Sequence, residues 1–347
     1  MQQNRLDRVL EYAFDATPDA GATMPVADGV HWLRMPLPPP LGAINLWLLE
    51  DDDGWVIVDT GIHSDETKTH WRKTAAELMA GKPVERVVVT HLHPDHVGCA
   101  GWLTSEFGVE LWMTREEYLL CRILVADTGR DAPDTGIRFY KAAGFADEEL
   151  SRYRKMFGFF GRHVSPLPES YRRMQGGESL VLAGHRWEIL IGNGHSPEHA
   201  CLDDAARGLF ISGDQLLPTI SSNVSVYPTE PHSDPLRDWL DSLARLRQRL
   251  PGDVLVLPAH GKPFRGAHAR IDELVREHTD GLAAVLDLCA KPRRAVDVFP
   301  ALFKARVTDR NLMMATGEAV AHLNYLVADG ELTRREDADG VLWYARN

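Results

Sequence analysis

Cysteine is scarce: the 347 residues include only Cys99, Cys121, Cys201 and Cys289, and no two of them form a C-x-x-C pair. That spacing excludes a thiolate zinc knuckle and offers no disulfide framework, so buried free thiols are expected. Long apolar runs are missing too. Nothing approaches the roughly 18 to 20 consecutive apolar residues that cross a bilayer. Residues 1–15 mix charges with scattered apolar residues and show no apolar core followed by a small-residue cleavage site. A soluble, cytoplasmic protein without a membrane partner is expected. Basic charge is also short, with 38 Lys and Arg against 50 Asp and Glu and a formal charge of -12. Such a balance disfavours a surface that tracks nucleic-acid phosphates. No internal repeat or low-complexity tract stands out.

What is present is a soluble globular composition, 44% apolar and 25% charged, long enough for one large core and a smaller module. After a Pro-rich entry (Pro36, Pro38, Pro39, Pro40), residues 44–49 and 55–59 read as two strands joined by the acidic turn Asp51, Asp52, Asp53, Gly54. A helix over 65–79 leads to a buried strand at 86–90. Residues 115–175 read as a helical insertion, a cap with an aromatic stretch at Met156, Phe157, Phe159 and Phe160. Strand signals return at 179–183, 186–191, 209–212 and 254–257, with an amphipathic helix over 236–250 between the last two. Strands alternating with helices predict packed sheets covered by helices. From about 281 the pattern changes to helices followed by a hairpin around the turn 337–340, like a winged-helix module. It carries nine basic and nine acidic residues, too neutral for a DNA-reading wing, which points to packing or a homodimer contact. The expected division is a catalytic domain over 1–280 and a small C-terminal domain over 281–347.

The chemistry concentrates after the strand at 86–90, where His91, His93, Asp95 and His96 fall within six residues. One histidine in a loop is ordinarily a hydrogen-bonded structural residue, but four ligand-type side chains in one turn are hard to explain by packing. Imidazole and carboxylate donors suit zinc and also iron or manganese. Three later segments follow strands of their own: Gly194-His195, Gly213-Asp214 and His260-Gly261. The glycines permit tight turns that aim each side chain back toward a common centre. His199 reads as a supporting residue. His63, His70, His163, His185, His232, His268, His278 and His322 have no ligand-rich surroundings.

Taken in order, these segments resemble the metallo-β-lactamase superfamily, above all its glyoxalase II-like, thioesterase and lactonase branches. The resemblance runs from about Ile44 to Gly261 and centres on Thr90-His91-Leu92-His93-Pro94-Asp95-His96-Val97-Gly98. It implies an α/β fold, a four-layer αββα sandwich with metals at one edge of the sheets. It also implies two divalent ions, zinc first. His91, His93 and His195 would hold one, and Asp95, His96 and His260 the other, with Asp214 between them. Asp59 would support the ligands, and Asp95 would act catalytically on a water held by the ions.

Departures from the family's branches bear on the substrate. Leu217 stands where quorum-quenching lactonases carry tyrosine. His96 is replaced in the penicillin-hydrolysing members, and His93 is glutamate in the redox diiron branch. The expectation is hydrolysis of a small-molecule acyl bond, a thioester of coenzyme A or glutathione type. The eleven basic against nine acidic residues of 115–175 would meet an anionic substrate. A lactonase or carboxylic ester hydrolase, a phosphodiesterase or ribonuclease, and a non-catalytic scaffold are the alternatives.

Overall fold

The computed structural model describes residues 9–79 and 81–347. Part of the N-terminal stretch read for a secretory signal lies outside the described residues. Strands β2 (Thr23–Ala27), β3 (Val30–Pro36), β4 (Ala43–Glu50), β5 (Trp55–Val58), β6 (Val84–Val88), β7 (Glu110–Met113) and β8 (Arg172–Arg173) form one sheet in chain order. The first four are antiparallel neighbours and the rest run parallel. A second sheet runs β9 (Ser179–Leu182), β10 (His185–Gly192), β11 (His199–Asp204), β12 (Leu209–Gly213), β13 (Leu255–Pro258), β14 (Phe264–Arg265) and finally β1 (Glu11–Tyr12).

The side-chain period of two explains the layers. In β3 and β4, Val30, Trp32, Trp47 and Leu49 turn inward against Leu182, Trp187, Leu202 and Ile211 of the second sheet. Their neighbours Leu33, Met35, Leu46 and Leu48 turn outward, under Trp71 of helix Asp65–Glu77 and Leu103 of helix Ala100–Phe107. On the far side, Phe210, Val256 and Phe264 pack beneath Trp239 of helix Pro235–Arg249 and Ile271 of helix Ala267–Leu288. The result is the metallo-β-lactamase fold: helices, sheet, sheet, helices. Each sheet is buried on both faces, and β5, β12 and β13 are therefore apolar along most of their length.

One strand has no counterpart in the sequence pattern. Strand β11, His199–Asp204, is wholly buried, and its sequence HACLDD carries neither β-branched nor aromatic residues to mark it. The expected boundary after residue 280 falls inside the continuous helix Ala267–Leu288. Beyond it, helix Leu312–Ala328 leads into the hairpin β15 (Leu332–Glu336) and β16 (Leu342–Arg346), as the pattern suggested. Val285, Ala319, Leu323 and Tyr344 from this stretch share one core with Phe210 and Trp239. Among the described residues, no helix is long and apolar enough to cross a membrane.

Candidate metal centre

The seven residues singled out from the sequence meet at one edge of the two sheets. His91 and His93 follow β6, His93 caps the short helix Pro94–Val97, and that helix presents Asp95 and His96. His195, Asp214 and His260 come just after β10, β12 and β13. Gly213 takes a left-handed φ of 49°, and a Cβ there would sit 2.5 Å from the His199 ring, so the turn into Asp214 needs glycine. Asn45 of β4 ties down the His260 loop by donating to Pro258 O at 2.8 Å and Gly261 O at 2.7 Å.

The ligand atoms form two groups. His91, His93, His195 and Asp214 offer one donor atom each within 4.8 Å of one another, and so do Asp95, His96 and His260. Asp214 faces both, with Oδ2 3.3 Å from His195 Nε2 and Oδ1 3.4 Å from His96 Nε2. His260 Nε2 stands 3.3 Å from Asp95 Oδ2.

Hydrogen bonds on the outer side of the rings set which nitrogen carries hydrogen. His195 Nδ1 donates to Asn223 O at 2.7 Å, His96 Nδ1 to Asp59 Oδ2 at 2.8 Å and His260 Nδ1 to Ala43 O at 3.1 Å. The Thr90 hydroxyl donates to Asp59 and so receives His91 Nδ1 at 3.1 Å. Each inner Nε2 is left with a lone pair. His93 Nδ1 lies 2.9 Å from both His91 Nε2 and His195 Nε2, and one proton at most can serve these three nitrogens. His96 Nε2 and Asp214 Oδ1 are buried without a hydrogen-bond partner. Converging lone pairs and an orphaned carboxylate oxygen repel one another unless cations lie between them, so this donor set fits divalent metal ions.

Electrostatics separate the two groups: without a cation, the first keeps neutral rings and the second favours a proton on His96 and His260. Burial, followed by neighbouring rings, holds His91 well below the ordinary imidazole range and His93 at about 3, which keeps both neutral. Burial also opposes charge on His96, but Asp59, Asp214 and Asp95 outweigh it and raise that ring. Burial works against the Asp214 carboxylate, yet His96 and His260 hold it well below its usual range.

A metallo-beta-lactamase superfamily model matches residues 39–260. The chain belongs to that superfamily. It is a hydrolase of this fold, and a model for a metallo-beta-lactamase-like C-terminal domain matches residues 282–347. A crystal structure of a beta-lactamase domain protein from Burkholderia ambifaria is 42% identical, with a TM-score of 0.91, covering 99% of this chain and 100% of that one. A probable metallo-hydrolase of Bacillus subtilis, YqjP, is 28% identical over 87% of this chain and 93% of its own length. A linear primary-alkylsulfatase of Pseudomonas is 27% identical over 69% of this chain and 45% of its own length. An acyl-coenzyme A thioesterase of Gallus gallus is 25% identical over 70% and 81% respectively.

Within this superfamily fold, a cleft of about 860 Å³ opens beside the centre, reaching Leu92, His93 and His195. The aromatic stretch of the cap, for which core packing is the ordinary reading, lines it: Met156, Phe157, Phe159 and Phe160 face Leu120, Leu124 and Tyr227. The basic excess of the cap does not reach the cleft. Its walls carry Glu116, Asp127, Asp131, Glu230 and Asp238 against Arg130, and Arg130 pairs with Asp127 at 2.7 Å. His199 is a support, as read: it accepts from Asp214 N at 3.1 Å and stacks on His91.

Sequence reasoning missed Glu117. Fully buried, it accepts from Leu92 N at 2.9 Å and Glu198 N at 2.8 Å, joining the His91–His93 loop to the one after His195. Burial pushes its carboxyl up to about 7. A single glutamate on an amphipathic helix gives no local signal of this role.

Proposed function

We propose that this chain hydrolyses thioesters, taking an apolar acyl group into the cleft and cleaving the bond beside the His and Asp cluster. One observation carries the reading: the cluster of seven ligand-type side chains meets, through His93 and His195, a cleft walled by Leu120, Leu124, Met156, Phe157 and Phe159. The likeness to an acyl-coenzyme A thioesterase supports it. The cleft carboxylates favour placing the phosphates of a coenzyme A carrier outside the cleft, toward solvent.

His91, His93 and His195 would hold one ion, Asp95, His96 and His260 the second, and Asp214 both; imidazole and carboxylate donors favour zinc. When bound, two divalent ions supply Lewis acidity, polarising a carbonyl and bringing the pKa of water toward about 7. The remaining work falls to the chain. Asp95 keeps a partly exposed carboxylate 3.3 Å from His260 Nε2, and it would take the proton of the attacking water and return it to the departing sulfur. The carbon–oxygen bond forms, the carbon–sulfur bond breaks, and a carboxylic acid and a thiol leave. Asp59 and Asn223 orient rings from behind, while the cap aromatics exclude water from the acyl chain.

A second reading, hydrolysis of a linear alkyl sulfate ester, rests on the Pseudomonas relative, since an alkyl chain fits the same walls. Acyl-coenzyme A, acyl-glutathione, lactone, carboxylic ester and alkyl sulfate substrates should be compared on zinc-loaded protein. The highest kcat/KM is expected on a medium or long acyl thioester. Activity confined to alkyl sulfates or lactones would replace the thioester reading.

A further inference from the structure

We propose that Glu318, on helix Leu312–Ala328 of the C-terminal region, is a positioning residue for His195 and acts through Asn223. The inference rests on the metal-site reading above and extends it to a part of the chain outside the superfamily match at 39–260.

The path is short. His195 Nδ1 donates to the Asn223 carbonyl at 2.7 Å, which leaves Nε2 free to face the cluster. Asn223 has no regular secondary structure to hold that carbonyl in place, because residues 221–227 form an irregular loop. Its side chain is fixed from the C-terminal helix instead: Asn223 Nδ2 donates to Glu318 Oε2 at 2.9 Å. On the other side, Asn223 Oδ1 accepts from Ser225 Oγ at 2.6 Å, and that hydroxyl also lies 3.2 Å from Met314 O of the same helix. Val226 N donates to Gly317 O at 3.1 Å.

The helix approaches the loop closely because residue 317 is glycine; a Cβ there would sit 2.7 Å from Ser225 and 2.9 Å from Val226 O. The same loop reaches Asp214, which faces both groups of ligand atoms, since Ser222 Oγ donates to Asp214 O. Four hydrogen bonds to Glu318, Met314, Gly317 and Asp214 therefore brace one loop whose carbonyl sets the tautomer of a ligand. Val224 and Val226 already anchor the loop in the core, so its fold does not depend on Glu318 alone. What Glu318 adds is the orientation of Asn223. Burial pushes its carboxyl up to about 7, so glutamine, which keeps an acceptor oxygen, is a close replacement at neutral pH.

The test uses the full chain, stripped of metal and titrated with zinc against a chromophoric chelator. Wild type is expected to bind two equivalents. Glu318→Ala should weaken one of the two sites by about tenfold and leave the other within about twofold, as expected when an outer partner of a histidine ligand is lost. Glu318→Gln should restore affinity to within about twofold of wild type. If Glu318→Ala does not fold, Asn223→Ala removes the same bond from the loop side and should give the same selective loss. Unchanged zinc affinity in Glu318→Ala overturns the proposal, as does an equal loss in the Ala and Gln variants. A wild-type protein that binds no zinc instead overturns the metal-site reading beneath it.

Discussion

Replacing Asp59 by asparagine tests the organisation behind the metal centre more sharply than removing any ligand. The carboxylate is buried at 2% exposure and accepts from three donors: Thr90 N at 2.8 Å, Thr90 Oγ1 at 2.8 Å and His96 Nδ1 at 2.8 Å. An amide offers one acceptor oxygen. If that oxygen keeps the Thr90 N–H, the new NH2 faces His96 Nδ1, and the ring must move its hydrogen to Nε2, where it points into the cluster. Backbone strain does not confuse the result, because Asp59 has a left-handed φ of 62° and asparagine tolerates that region as well as aspartate. Losing one charge-assisted buried hydrogen bond costs about 1.5–3 kcal/mol. Disturbing the partner of a histidine ligand lowers metal affinity by about 10- to 100-fold. Zinc titration against a chelator should show that loss at one of two sites. Melting of the metal-free variant should fall by about 2–4 °C, given the size of the chain. Wild-type zinc affinity together with an unchanged melting temperature would refute this account of the Asp59, Thr90 and His96 network.

Three further outcomes are expected. Asp95→Asn, compared at equal metal content, should lower kcat on the best thioester by about 10²- to 10⁴-fold, and a near-normal kcat would remove Asp95 from proton transfer. Zinc at a hundredfold excess over its Kd should stabilise the chelator-treated protein by about 2.7 kcal/mol, read as a higher midpoint in thermal or urea unfolding; no shift would mean that the native state holds no ion. Phe157→Ala should reduce kcat/KM for a long acyl chain by about tenfold and hardly change that for an acetyl thioester. Equal losses on both substrates would place Phe157 in the packing of the cap and not in acyl recognition.

Legibility in the sequence followed how local each cause was. The strand 86–90 and the cluster after it could be read because a β-branched apolar run and four ligand-type residues stand within one short stretch. His195, Asp214 and His260 could be read as turn residues beside glycine, and their order matched the superfamily. Strand β11 could not, because it carries two buried carboxylates where a strand pattern expects apolar residues: Arg207 of the following turn reaches Asp204, and Arg249 from the end of helix Pro235–Arg249 lies 3.2 Å from Asp203. The division near 281 is written in the composition, and the match to a C-terminal domain begins at 282, while the helix Ala267–Leu288 and the core it enters run continuously across that point.

By itself, then, the sequence determined the type of centre, since ligand identity, spacing and flanking glycines are properties of short segments. The tertiary structure decided how that centre is supported and what lies beside it. Glu117 reaches Leu92 across 25 residues and Glu198 across 81, and Glu318 reaches Asn223 across 95. The cap turns its aromatic residues and carboxylates toward the cleft, while its excess of basic side chains lies elsewhere. Such arrangements arise from packing between elements distant along the chain, and period, propensity and motif carry no record of which distant side chain will fill a given space.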